Sequence, residues 1–140
     1  MQSILLESSY NEKRYQECLQ ASQLLQDLIS LSNQDRTEIG ERGINLSGEQ
    51  RARVALVGAL FSSASNDVFL LDDPLSVLDP HAGALIFKQA IQSYLKDKTR
   101  IIVLNGQYHL LPLRDWVLVM SEGRLVGDGT FSEVIQRHPE

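Results

Sequence analysis

Two aspartates, Asp72 and Asp73, follow directly on the apolar run Val68-Phe69-Leu70-Leu71. A carboxylate at the carboxyl end of a strand in an α/β sheet stands where ligands of such sheets gather, and it can take Mg²⁺ directly or through water beside phosphate groups. The neighbouring acid can orient an attacking water. The same residues also suit a solubilising strand end or a helix cap, and both readings stay open on these residues alone. A second group, Leu46-Ser47-Gly48-Glu49-Gln50, places a small hydroxyl and a glycine before a helical pattern. A helix start of this kind offers free amides and the positive end of the dipole to an anion. Read alone, it is equally an N-cap with Gln50 completing a capping box.

The elements that position these groups follow from periodicity. Tyr15, Cys18, Leu19, Ser22, Leu25 and Leu28 recur at three- and four-residue steps, which predicts one amphipathic helix over Asn11 to Leu28. Ser30 to Asn45, broken by Gly40 and Gly43, reads as an irregular loop. A helix begins at Ser47, with Val54, Val57, Leu60 and Phe61 inward and Arg51 and Arg53 outward. The uninterrupted run Val68 to Leu71 predicts a strand buried on both faces of a parallel sheet. A helix from about His81 to Leu95 and a strand Ile101 to Leu104 follow, giving strand, helix, strand and therefore an α/β sheet. Trp116 to Met120 and Leu125 to Val126 flank the turn Ser121-Glu122-Gly123-Arg124, and Thr130 with Glu133 offers a capping box for a last short helix.

Composition excludes several classes. In 140 residues, 43% hydrophobic and 22% charged side chains describe an ordinary globular unit, and the net charge of −5 gives no pull toward nucleic acid or anionic lipid. The single cysteine, Cys18, sits in a helical pattern and reads as a small core residue; no Cys/His cluster has metal-ligand spacing. No apolar run approaches the roughly 20 residues that cross a bilayer, and Met1 to Tyr10 lacks the pattern of a signal peptide.

Order and spacing add what single motifs do not. Leu46-Ser47-Gly48-Glu49-Gln50, then Val68 to Asp72-Asp73-Pro74, then Ser76-Val77-Leu78-Asp79 resembles the signature motif, Walker B strand and D-loop of the ABC cassette, over nearly the whole chain. Thr37 to Asn45 and Asp72-Asp73-Pro74-Leu75-Ser76 look most like the first cassette of multidrug-resistance-associated (ABCC-type) exporters. The resemblance implies a P-loop NTPase fold of which the chain is the C-terminal part: residues 1–66 a helical signature region, and 67–140 the Walker B strand, D-loop, switch region and C-terminal β-hairpin. It implies ATP and Mg²⁺ as cofactors. It also implies a second cassette paired head-to-tail, transmembrane domains as partners, and a place at the cytoplasmic face of a membrane. Ser47 and Gly48, with Leu46, Glu49 and Gln50, would contact the ATP held by the opposite cassette. Asp72 would help hold Mg²⁺, Asp73 would stand in the catalytic position, and Ser76 to Asp79 would line the interface.

Three residues depart from the family pattern. Glu49 replaces a glycine and puts a carboxylate near the anion site; Asp73 is one methylene shorter than the glutamate usual in ABC cassettes, although this aspartate is itself typical of the ABCC-type first cassette; Asn105 stands where a switch histidine is normal. Asparagine can bond a phosphate oxygen but carries no proton at neutral pH. His109 is a candidate substitute or a surface histidine, and His81 and His138 have only surface readings. The sequence holds no G-x-x-x-x-G-K-[ST] loop. By the resemblance that loop, the adenine-stacking aromatic and the glutamine loop belong upstream, and Ser3-Ile4-Leu5-Leu6 resembles the segment just after the glutamine loop, so Met1 is expected to open a truncated piece. An alternative function is a non-hydrolysing regulatory module that pairs with an intact cassette. A DNA-repair or chromosome-organising ATPase also places a signature helix before a Walker B strand, but neither a coiled coil nor a basic face is present.

Overall fold

The computed structural model describes residues 10–31, 33, 36, 37 and 46–138. Ser3 to Leu6 and Glu38 to Asn45 lie outside the described residues. Helices α1 (Glu12–Ala21), α2 (Leu25–Ser30) and α3 (Gly48–Phe61) precede strand β1 (Val68–Asp72); α4 (Pro80–Ile86) leads to β2 (Thr99–Val103), and β3 (Val117–Ser121), β4 (Arg124–Gly129) and α5 (Phe131–Arg137) close the order. Two compact units divide the chain, Met1–Leu104 and Asn105–Glu140.

In the first unit the expected Asn11 to Leu28 helix is two helices. Asn11 caps α1 by accepting from the Arg14 N–H at 2.9 Å. At the other end Gln23 takes φ +59°, its N–H donates to the Gln20 carbonyl, and the Leu24 N–H reaches back to Leu19. This is a Schellman stop with glutamine in the left-handed position usually held by glycine. Consequently Tyr15, Cys18, Leu19 and Ser22 are buried as the periodicity predicts, whereas Leu25, beyond the stop, is exposed. α1 packs on α3, where Tyr15 meets the Phe61 ring edge-on and the Arg14 guanidinium lies 5.2 Å from the same ring.

β1 and β2 pair in parallel, Leu70 opposite Ile101 and Asp72 opposite Val103. The prediction of a strand buried on both faces needs correction. Phe69 and Leu71 are buried with Val57, Leu60, Phe61, Ile86 and Phe87, while Val68, Leu70, Ile101 and Val103 on the other face are 56%, 74%, 53% and 53% exposed. An uninterrupted apolar run does not reveal which faces are covered, and among the described residues of this unit the helices supply a core on one face only. The connection begins as α4 and continues as a π-helix from Phe87 to Tyr94, in which the Leu95 N–H bonds the Ala90 carbonyl. π-Helices of this length are rare; nothing in the sequence pattern marks the change of pitch.

The second unit is a hairpin and a helix. β3 and β4 are antiparallel, with Ser121 opposite Arg124. Glu122 (φ +48°) and Gly123 (φ +74°) form the two-residue turn, the left-handed pair that hairpin twist favours. Thr130 caps α5, and its hydroxyl and N–H both bond Glu133 Oε2 at 2.8 Å. A 3₁₀ turn, Tyr108–Leu113, occupies the stretch before β3 and contains His109.

Candidate functional site

The residues Leu46 to Gln50 are organised by the start of α3. Ser47 is extended (φ −65°, ψ 164°); its Oγ accepts from the Gln50 N–H at 3.1 Å while its own N–H donates to Gln50 Oε1 at 3.0 Å. The capping box is therefore closed in both directions, with the Ser47 hydroxyl still able to donate. Leu46 is buried and anchors the approach, and its carbonyl accepts from Arg51 at 3.1 Å. Ser47 and Gly48 are exposed. A side chain added at Gly48 would meet only the tip of Arg51, at 3.9 Å, so the backbone does not require glycine there; what glycine leaves is open space over the helix start.

Glu49 and Gln50 turn to protein partners. The Gln50 amide donates to Asp27 Oδ1 at 3.4 Å, and Glu49 Oε2 pairs with Arg53 at 3.2 Å. Arg53 also holds Asp27 at 2.7 Å. The expectation that Arg53 faces outward is wrong: its side chain is 14% exposed, drawn between two carboxylates of α2 and α3.

At the sheet edge, Asp72 is exposed at the end of β1. Asp73 continues the ladder, its N–H donating to the Val103 carbonyl at 3.0 Å, and then turns the chain with φ +46°. Its carbonyl accepts from both the N–H and the hydroxyl of Ser76, at 3.3 and 3.0 Å. Leu75 and Leu78 bury themselves and leave Val77 out. Asp79 caps α4, Oδ1 accepting from the N–H groups of His81 and Ala82 at 3.0 Å each, with Pro80 in the first turn. These bonds, the one from Ala82 foremost, hold its carboxyl below the usual aspartate range, and the charge of Arg53 adds to the effect. Ser76 and Asp79 thus shape the turn that carries Asp73 toward α4.

No protein-family model matches the chain. Curated relatives do. It is 44% identical over 137 residues to rat (Rattus norvegicus) ATP-binding cassette sub-family C member 3, covering 96% of this chain. It is 42% identical over 140 residues to human (Homo sapiens) ATP-binding cassette sub-family C member 2, covering 99%, and 40% identical over 136 residues to Arabidopsis thaliana ABC transporter C family member 9, covering 97%. The chain is homologous to the C family of ABC transporters. It spans 9% of the length of each of these three relatives.

For this ABCC homologue, the donors available to Mg²⁺ can be tested against the structure. No group of three or more His, Cys, Asp or Glu side chains able to hold a metal occurs among the described residues. Mg²⁺ beside nucleotides is commonly held by one or two carboxylates together with phosphate oxygens and waters, and the exposed Asp72 fits that mode. Asn105 opens the second unit, exposed, beside Gly106 at φ +101°, and His109 is exposed in its 3₁₀ turn. No helix among the described residues is long and apolar enough to cross a membrane. Sequence reasoning passed over Asp27. Its partner Arg53 lies 26 residues away, and only the Glu49/Arg53 spacing of four residues on one helix carried a signal.

Proposed function

We propose that this ABCC homologue is part of the ATP-binding and ATP-hydrolysing motor domain of an ABC transporter, coupling ATP hydrolysis to export of a substrate across a membrane. The observation that carries the reading is homology to ABCC transporters over 96–99% of the chain. In this reading the chain is the C-terminal part of a P-loop NTPase cassette, residues 1–66 forming the signature region and 67–140 the Walker B, D-loop, switch and hairpin region. Ser47 and Gly48 meet the phosphates of an ATP held by a second cassette in a head-to-tail pair. Exposed Ser47 and Gly48, at the start of a 14-residue helix, are in keeping with that role. Asp72 contributes to Mg²⁺, which when bound neutralises phosphate charge; Asp73 positions the attacking water, and Asn105 offers an amide to phosphate. Transmembrane domains of the parent transporter, at whose cytoplasmic face the cassette works, complete the assembly.

A second reading, a regulatory module that pairs with an intact cassette without hydrolysing ATP, is favoured by Asp73 and Asn105 in place of the family's usual glutamate and histidine. Substituting Ser47→Phe in the parent transporter tests the common core of both. A ring over the start of α3 is expected to lower ATP-dependent turnover at least tenfold, on the order of one phosphate-stabilising contact. Unchanged turnover would overturn the assignment of the signature residues.

A further inference from the structure

Glu49 stands in the first turn of α3, where free N–H groups and the helix dipole favour a negative charge. Left to itself, its carboxylate would settle over that turn and compete with any incoming phosphate. It does not. Its Oε2 reaches 3.2 Å from Arg53, one turn further along the helix, so the charge is drawn toward the body of α3 and offset there. Arg53 is itself fixed: its other terminal nitrogen sits 2.7 Å from Asp27 on α2, whose second oxygen takes the Gln50 amide at 3.4 Å. The planar fork of arginine can serve two carboxylates in this way, whereas a lysine ammonium would be a single point. The exposures agree with this arrangement, with Arg53 at 14% and Asp27 at 18% forming the enclosed part and Glu49 at 42% the outer part.

We propose that Arg53, anchored by Asp27, is a positioning residue that holds the Glu49 carboxylate off the start of α3 and so keeps Ser47 and Gly48 open to a phosphate group. The proposal rests on the reading of Ser47 and Gly48 as the residues that contact phosphate. It explains how a carboxylate is tolerated in a segment that must accept an anion.

The test is the ATP dependence of hydrolysis by the parent transporter, with a thermal melt of each variant. Arg53→Met keeps the apolar stem and releases Glu49; Glu49→Asp keeps the charge but shortens its reach to Arg53. Both are expected to raise the half-saturating ATP concentration roughly fivefold, the scale of a charge at a helix terminus. Glu49→Gln should leave it at or below the unmodified value, and adding Glu49→Gln to Arg53→Met should restore it to within about twofold of that value. A purely structural role for Arg53 would not be rescued by removing the charge of Glu49. Unchanged half-saturation in both Arg53→Met and Glu49→Asp, or a loss that Glu49→Gln does not recover, overturns the proposal. If Arg53→Met does not accumulate, Glu49→Asp against Glu49→Gln decides it alone. Ser47→Phe is run alongside: if it too is without effect, the signature reading has failed, and if it alone impairs turnover, the role of Arg53 has failed.

Discussion

The main-chain N–H of Asp73 donates to the carbonyl of Val103 at 3.0 Å, carrying the parallel ladder one residue past the end of β1, while the φ of Asp73 swings to +46°. The acid that follows Asp72 is therefore held by a backbone conformation that most L-residues avoid, and aspartate is among those that tolerate it. Asp73→Gly is expected to leave stability unchanged or slightly higher, and Asp73→Val to lower it by about 1–2 kcal/mol. Urea midpoints of the three proteins check this; equal midpoints for valine and aspartate would contradict it.

The capping box of α3 gives a second expectation. Ser47→Ala removes the acceptor for the Gln50 N–H and should cost about 1 kcal/mol. Gln50→Ala should cost at least as much, since the same side chain bonds the Ser47 N–H and Asp27. Denaturant titration measures both, and a Gln50→Ala protein as stable as the original would show the box to be idle.

Acid and alkali act through different residues. Asp79 and Glu133, cap and capping-box carboxylates, have folded-state pKa values lowered from 3.8 and 4.5 by the bonds from Ala82 and Thr130 respectively. Their contribution is complete above those unfolded values and is lost as pH falls through the lowered ones. Tyr94 behaves oppositely. Burial pushes its hydroxyl up to about 12 from 10, so the folded state keeps a proton that the unfolded chain releases, and stability declines as pH rises from 10 toward 12. Asp79→Asn should flatten the acid limb and Tyr94→Phe the alkaline limb of stability against pH; limbs of unchanged slope would contradict the assignments.

Much of this was legible locally. Ser47 with Gln50, Thr130 with Glu133, and Glu122 with Gly123 announce caps and a turn because the interacting groups lie within three residues of one another. The stop of α1 at Gln23 was not, since glutamine carries no mark of a left-handed residue. Nor was the burial of Arg53, because its partner Asp27 is brought to it by tertiary packing. The exposed face of β1 was misjudged for a related reason: four consecutive apolar residues look the same whether one face or two are covered. Around the candidate site, the bonds that tie Ser76 to Asp73 and Asp79 to α4 needed the fold.

The apolar face formed by Val68, Leu70, Ile101 and Val103 carries a consequence for behaviour in solution. Contiguous exposed apolar surface beside open strand edges favours association, so the 140-residue chain is expected to self-associate with rising concentration. Leu70→Lys with Ile101→Lys should reduce that association without disturbing Phe69 and Leu71 on the buried face. Sedimentation at several concentrations checks it, and a monomer at all concentrations would contradict it.

Hydrolysis at the Asp72–Asp73 site tests the account most directly, in the parent transporter with its sibling site disabled. Asp73 is one methylene short of the family's usual glutamate, a displacement of roughly 1.5 Å, and misplacement on that scale can cost on the order of a hundredfold. On the proposed reading Asn105 takes the place of a histidine contact to phosphate, in a reaction that depends on positioning and electrostatics. Asp73→Glu alone should help only in part, the more so because glutamate is less at ease at φ +46°. With Asn105→His added, the proposed reading expects turnover to rise well beyond either single change. The account predicts slow single-site turnover in the unmodified protein and a more than additive gain in the double variant. Turnover at the rate of the intact transporter before any substitution, or a double variant no faster than the original, would contradict it.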